Sequence, residues 1–127
     1  MKRYSCYGML LLGLVMFLSG CASHLPPAWY MVTGTGMSEG INPAQARLMA
    51  KRAAELDARR QLLEHAKGVV INSNSTVQDF MTRNDYIRSR VEGIIRDAEI
   101  VDTRYNDDGT CEVDMRIDMN QIRNIVR

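Results

Sequence analysis

One stretch of this sequence restricts the fold more than any other. From Cys111 to Met119, the residues Cys111, Val113, Met115, Ile117 and Met119 alternate strictly with Glu112, Asp114, Arg116 and Asp118. Successive strand side chains point to opposite faces, so this period-two pattern predicts a strand with one buried and one wet face. Asn106-Asp107-Asp108-Gly109-Thr110 precedes it. Those residues predict a type I turn closed by a left-handed Gly109, a three-residue hairpin loop. The register then sets Tyr105 opposite Cys111, Thr103 opposite Val113 and Val101 opposite Met115, all on the apolar face. Arg104 meets Glu112 on the other face. A two-residue loop would swing Arg104 and Asp102 onto the apolar side, so it is rejected.

A long helix is equally legible. Asn42-Pro43-Ala44-Gln45 reads as a helix start: Asn caps, Pro takes the first turn and Gln45 offers a capping box. The helix should run to about Lys67, with Gly68 as a left-handed stop. Seven alanines between Ala44 and Ala66 raise its propensity. Met49, Leu56 and Leu63 recur every seventh residue, with Leu48 and Ala53 alongside, and this stripe is expected to face the sheet. Glu55–Arg59 and Arg60–Glu64 have the spacing of helix-surface ion pairs.

The remaining elements are shorter. Trp29-Tyr30-Met31-Val32-Thr33 has strand composition, broken up by Gly34, Gly36 and Gly40. Val69-Val70-Ile71 starts a second strand that continues through the polar residues 72–77. Phe80, Ile87, Val91 and Ile94 are spaced for a second helix from Asp79 or Asn84 to Glu92, ended by Gly93. Asn120 is placed to cap a short terminal helix carrying Ile122, Ile125 and Val126. The expectation is a small two-layer α+β domain in β-α-β-α-β-β order. Its mainly antiparallel sheet packs on the long Ala-rich helix. Hydrophobic residues make up 46% of the chain and charged ones 24%, an ordinary globular balance.

The first residues read as an address. Lys2 and Arg3 are followed by the apolar run Met9–Leu18, too short to span a bilayer and suited to the core of a signal peptide. Leu18-Ser19-Gly20-Cys21 resembles the lipobox of bacterial lipoproteins. The likeness implies cleavage between Gly20 and Cys21, with lipid on the Cys21 thiol. Three acyl chains, palmitate among them, would hold the protein firmly, since one chain anchors only marginally. Ala22, where Asp would signal inner-membrane retention, implies the outer membrane. The expected division is a signal peptide at 1–20, a lipidated tether at 21–28 and one domain at 29–127. The seven residues from Ala22 to Ala28 reach at most about 25 Å, and Pro26-Pro27 stiffens them. The domain is therefore expected close to the bilayer.

Loss of the first 20 of 127 residues takes Lys+Arg from 16 to 14 against 15 Asp+Glu, so the net charge moves from +1 to −1. That balance excludes the strongly basic surface of most nucleic-acid binders, and no nucleic-acid partner is expected. Three cysteines and two histidines are too few for a Cys- or His-rich metal centre. Once Cys21 is lipidated and Cys6 removed, Cys111 is the one free thiol. It reads as a small core residue, with an intermolecular disulfide as the alternative.

Catalytic readings fail on spacing. Gly34-Thr35-Gly36 invites a dinucleotide loop, but Gly40 is one position too far on and Asp57 lies in mid-helix. A strand-to-helix connection is the simpler reading. Asp107-Asp108-Gly109 lacks the alternating ligands of a calcium loop. Glu112, Asp114 and Asp118 share a face with Arg116, a solvated or partner-facing surface rather than an acid–base pair. His24 and His65 have no triad spacing. No cofactor, metal site, catalytic residue or enzymatic activity is expected.

Leu56-Asp57-Ala58-Arg59-Arg60-Gln61-Leu62-Leu63-Glu64, Lys67-Gly68-Val69, Thr76-Val77-Gln78-Asp79, Val91-Glu92-Gly93-Ile94-Ile95-Arg96 and the Asp108-Gly109-Thr110 hairpin follow the lipobox in order. Together they resemble the LPP-type outer-membrane lipoproteins, and within them the FlgP-like flagellar assembly lipoproteins. Where such chains often carry Gly after the Ile-Ile-Arg step, this one has Asp97. The resemblance implies a compact α+β domain, an outer-membrane anchor facing the periplasm, no catalysis, and a place in structures around the flagellar basal body. Its partners would be membrane lipid through Cys21, and protein through self-association or flagellar and envelope components. The competing expectation is a general envelope lipoprotein that binds a small ligand or peptidoglycan in an apolar pocket lined by Trp29, Tyr30 and Tyr105.

Overall fold

The structure is a computed structural model, and residues 26–40 and 42–127 are described. In chain order the elements are β1 (Trp29–Met37), α1 (Pro43–Lys67), β2 (Val70–Asn72) and β3 (Ser75–Thr76). Then come α2 (Val77–Arg83), α3 (Asp85–Arg96), β4 (Glu99–Tyr105), β5 (Thr110–Asp118) and α4 (Met119–Ile125). The main sheet is antiparallel with strand order β1-β5-β4, and α1 packs across β1 and β5. The α+β, two-layer expectation stands, with more elements than the order read from the sequence.

The central strand is the one the alternation marks. Cys111, Val113, Met115, Ile117 and Met119 are all buried, and the intervening residues are half-buried. Gly109 has φ +83°, as the turn requires. Tyr105 pairs with Cys111, Thr103 with Val113 and Arg104 with Glu112. The expected register slips only beyond Asp102: a bulge falls between Ile100 and Asp102, and Ile100, not Val101, lies opposite Met115. An extra residue in one strand shifts every pairing past it.

The helix start and end are as read, but its buried face is not. Asn42 Oδ1 accepts from Ala44 N at 3.0 Å, Pro43 opens the helix and Lys67 closes it. The inward face is Ala50, Ala54, Ala58, Leu62 and Ala66. Leu48, Met49 and Leu56 are 49%, 50% and 66% exposed, so most of the heptad stripe points away from the sheet, while Leu63 is half-buried against the core. The reason lies in β1. Gly34 and Gly36 do not break the strand; they sit inside it, beneath the helix. A Cβ on Gly34 would collide with Ala54 O and Ala58 N, and would lie 2.7 Å from Ala58 Cβ. One on Gly36 would collide with Ala50 O and Ala54 N and lie 2.8 Å from Ala53 Cβ. Backbone meets backbone here, and only residues with the smallest side chains fit.

Other local expectations are corrected in the same way. Gly68 has φ −76° and ends the helix in a right-handed turn, its N–H donating to Glu64 O and His65 O. The second strand leaves the main sheet. β2 pairs only with β3 in a two-stranded ribbon, and residues 77–83 are helix. The two candidate starts of the second helix belong to two helices. Asp79 accepts from Thr76 N (2.7 Å) and Thr76 Oγ1 (2.9 Å) at the start of α2, while Asn84 Oδ1 accepts from Tyr86 N (2.9 Å) to start α3. Gly93 lies within α3, which runs on to Arg96 and ends at Asp97 with φ −89°, a conformation open to any residue. Asp118, not Asn120, caps α4, accepting from Asn120 N at 2.9 Å.

Candidate functional site

The lipobox residues Leu18, Ser19, Gly20 and Cys21 lie outside the described residues, as do His24 and the apolar run. The residues just before β1 are held by hydrogen bonds to the end of β5 and the start of α4. Ala28 N donates to Asp118 Oδ1 (2.9 Å), Met119 N to Ala28 O (2.9 Å) and Asn120 Nδ2 to Pro26 O (2.9 Å). Asp118 therefore serves twice, holding the incoming chain and starting α4. Pro26–Ala28 are thereby bonded to the end of β5 and the start of α4.

A cleft of about 570 Å³ opens beside this junction. Trp29 from β1 and Arg116 from β5 form one wall; Arg90 and Arg96 of α3, Asp97 just after it and Gln121 of α4 form much of the rest. Trp29 is 52% exposed, and the Arg116 guanidinium stacks 4.4 Å from its ring centroid. Cation–π stacking of this kind couples the indole to Arg116 while leaving about half of it exposed. Arg116 also forms a two-pronged pair with Glu99, Nε to Oε2 at 2.9 Å and Nη2 to Oε1 at 3.0 Å. That bond, more than charge alone, keeps the Glu99 carboxyl below its ordinary pKa. Among the described residues Arg90 and Arg96 carry no ion pair.

The outer face of the sheet is occupied by ion pairs rather than by a reactive group. Arg104 grips Asp114 with Nη1 (2.6 Å) and Nη2 (3.1 Å), and also reaches Asp102 (2.9 Å) and Glu112 (3.2 Å). Thr33 Oγ1 donates to Asp114 at 2.6 Å. The Arg104 bonds first, and the Thr33 bond second, hold the Asp114 carboxyl ionised below its usual range. A general acid needs the opposite shift. Glu112 and Asp114 thus share Arg104 as partner, while Asp118 is taken up by Ala28 N and Asn120 N. Among the described residues no three His, Cys, Asp or Glu side chains gather as a metal-binding group.

The aromatic pocket expected from Trp29, Tyr30 and Tyr105 does not form. Trp29 lines the cleft at the tether end. Tyr30 turns to the other face and stacks on His65, ring centroids 3.5 Å apart at 7°. Tyr105 sits at the hairpin end, 6.0 Å from the Arg47 guanidinium. Strand alternation separates the first two, and the length of the sheet separates the third. Cys111 is fully buried, and burial pushes its thiol pKa up. It packs in the core and is closed to a partner's thiol in the folded domain.

What sequence reasoning missed is the junction and the cleft. Asp118 gave a signal, a capping residue immediately before Met119-Asn120, but the alternation of β5 claimed it as a strand residue first. Arg90 and Arg96 carried none.

The LPP20 lipoprotein family model matches residues 27–118. The chain belongs to the LPP20 lipoprotein family. No curated protein and no solved structure matches it. The LPP20 match opens at Pro27, inside the pinned junction, and closes at Asp118, the residue that holds it. Membership makes the chain a bacterial envelope lipoprotein. Among its described residues no helix is long and apolar enough to cross a membrane.

Proposed function

We propose that this LPP20 protein is a non-enzymatic scaffold subunit, anchored through lipidated Cys21 at the periplasmic face of the outer membrane and associated with the flagellar basal body. The observation that carries the scaffold reading is the outer edge of β4. Ile100, Val101 and Tyr105 are each at least 39% exposed there, and among the described residues no strand pairs with the outer edge of β4. An uncovered edge strand with apolar residues is a template for pairing with another chain. A short tether concentrates copies on one surface and favours such pairing. The flagellar setting rests on the FlgP-like resemblance of the sequence. Ligand binding within an aromatic pocket is the weaker reading, because Trp29, Tyr30 and Tyr105 lie apart.

Purified lipidated protein in detergent should form higher oligomers, measured by light scattering, and should co-purify with basal bodies. A strict monomer would remove the scaffold reading. Normal motility in a deletion strain would remove the flagellar one.

A further inference from the structure

We infer that the cleft between β1, β5 and α3 docks on the phospholipid headgroups of the bilayer that holds the anchor, with Trp29 at the membrane interface and Arg90 and Arg96 on lipid phosphates. The inference rests on the lipid-anchor reading and says which end of the domain faces the membrane.

The tether supplies the first argument. Asn120 fixes Pro26 O, so the five steps from Cys21 to Pro26 span at most about 18 Å. Trp29, three residues further on, stays within reach of the bilayer. The opposite end, the Asp107-Asp108 hairpin, is separated from Trp29 by the nine-residue length of β5, about 26 Å away.

Side-chain chemistry supplies the second. Trp29 is the sole tryptophan of the chain and sits half-exposed at the tether end. An indole with an apolar body and one N–H donor is suited to a boundary that is apolar on one side and wet on the other. Next to it, Arg116 is neutralised by Glu99, whereas Arg90 and Arg96 project from α3 without an ion pair among the described residues. Guanidinium groups bind phosphate oxygens in pairs, and long arginine stems lie along apolar surface while the head reaches polar groups. Asp97, in the same cleft, suits the ammonium of an ethanolamine headgroup. The hairpin end carries adjacent carboxylates instead, which an anionic surface repels. The cleft as a whole is balanced, Arg90, Arg96 and Arg116 against Asp97, Glu99 and Asp118, so it meets an anionic surface without the repulsion of the hairpin end, with two arginines free of ion pairs among the described residues.

The single tryptophan makes the test direct. The lipidated mature chain is reconstituted into vesicles of phosphatidylethanolamine and phosphatidylglycerol, and flotation is checked first. Trp29 emission should then shift to the blue. Lipids brominated near the headgroup should quench it at least about two-fold, while iodide quenches it less than in detergent. Arg90→Glu with Arg96→Glu should leave flotation intact and abolish most of the lipid quenching; Arg90→Gln with Arg96→Gln serves if the charge reversal does not fold. Raised salt should weaken the quenching in the same direction. A chain that floats while Trp29 stays open to iodide and untouched by brominated lipid overturns the inference but leaves the anchor intact. Quenching indifferent to both arginine pairs overturns the assignment of the cleft. A chain that does not float overturns the anchor reading and this inference with it.

Discussion

The two outer strands of the sheet are finished differently. β1 is sealed. Its glycines let α1 press backbone against backbone, and two side chains of that helix reach its outward-facing groups: Thr35 N donates to Asp57 Oδ2 at 3.2 Å, and Gln61 Nε2 donates to Thr33 O at 3.1 Å. Gln61 and Arg60 in turn bond to Asp57 at 2.8 and 2.9 Å. Edge strands need their free N–H and C=O groups satisfied or covered. α1 does both for β1. Among the described residues no helix caps the edge of β4 in this way. Five of its first six residues, and Tyr105, face solvent, and its bulge disturbs the ladder. On its edge Thr103 N–H is taken only by Oδ1 of neighbouring Asp102, at 2.8 Å. A small sheet closed on one side and open on the other can be stable alone and still offer one edge to a partner.

That contrast can be broken most sharply at Gly34. Replacing Gly34 by Ala should cost about 3 kcal/mol or more, because the added carbon meets helix backbone rather than a movable side chain. Urea denaturation should show it as a lowered midpoint. A loss below about 1 kcal/mol would mean the helix does not lie on β1 as described.

The Asp57 latch gives a smaller, pH-dependent effect. Hydrogen bonds from Arg60 first, then from Thr35, hold its carboxyl below the usual carboxylate range. A depressed folded pKa means the stabilisation is present above the unfolded value and fades as pH falls through the folded one. Asp57→Asn should therefore cost about 1 kcal/mol at neutral pH, and its midpoint should converge on that of the wild type as pH falls below the ordinary carboxylate range. A gap of constant size across that range would show that the charge of Asp57 contributes nothing.

Gly93 sharpens the comparison by counter-example. A Cβ there meets nothing within 4 Å, and the residue lies inside a regular helix. Gly93→Ala should stabilise by about 0.5–1 kcal/mol, a rise in denaturation midpoint where the change at Gly34 gives a fall. At the open edge, Val101→Lys should alter the stability of the monomer by less than about 0.5 kcal/mol. It should nevertheless reduce any oligomer measured by scattering.

Much of the fold could be read directly because its signals are local. The β5 alternation, the Asp108-Gly109 turn and the Asn42-Pro43 start each depend on residues within a few positions, and each has its expected place. The face of α1 could not be read that way. Met49, Leu56 and Leu63 carry more apolar surface than Ala50, Ala54 and Ala58, so a count of hydrophobic residues favours the wrong side. Leu56 and Leu63 line a groove with Ile95 of α3 instead. The correct signal was paired smallness: alanines every fourth residue on the helix, and two glycines one residue apart in the strand. Neither half means close approach until the other is beside it. The cleft at Trp29 was hidden for the same reason. Its residues come from β1, α3, β5 and α4, and no spacing in the chain links them.

Taken alone, the sequence determined the central strand, the turn that reverses into it, the limits of the long helix and the burial of Cys111, since periodicity, capping and backbone preference act over a turn or two of chain. Tertiary packing decided which side of that helix goes inward, which sheet edge is closed and where the residues before β1 are pinned. Those outcomes turn on distances between atoms dozens of residues apart, such as Gly34 and Ala58 or Pro26 and Asn120, which become neighbours only once the chain has folded.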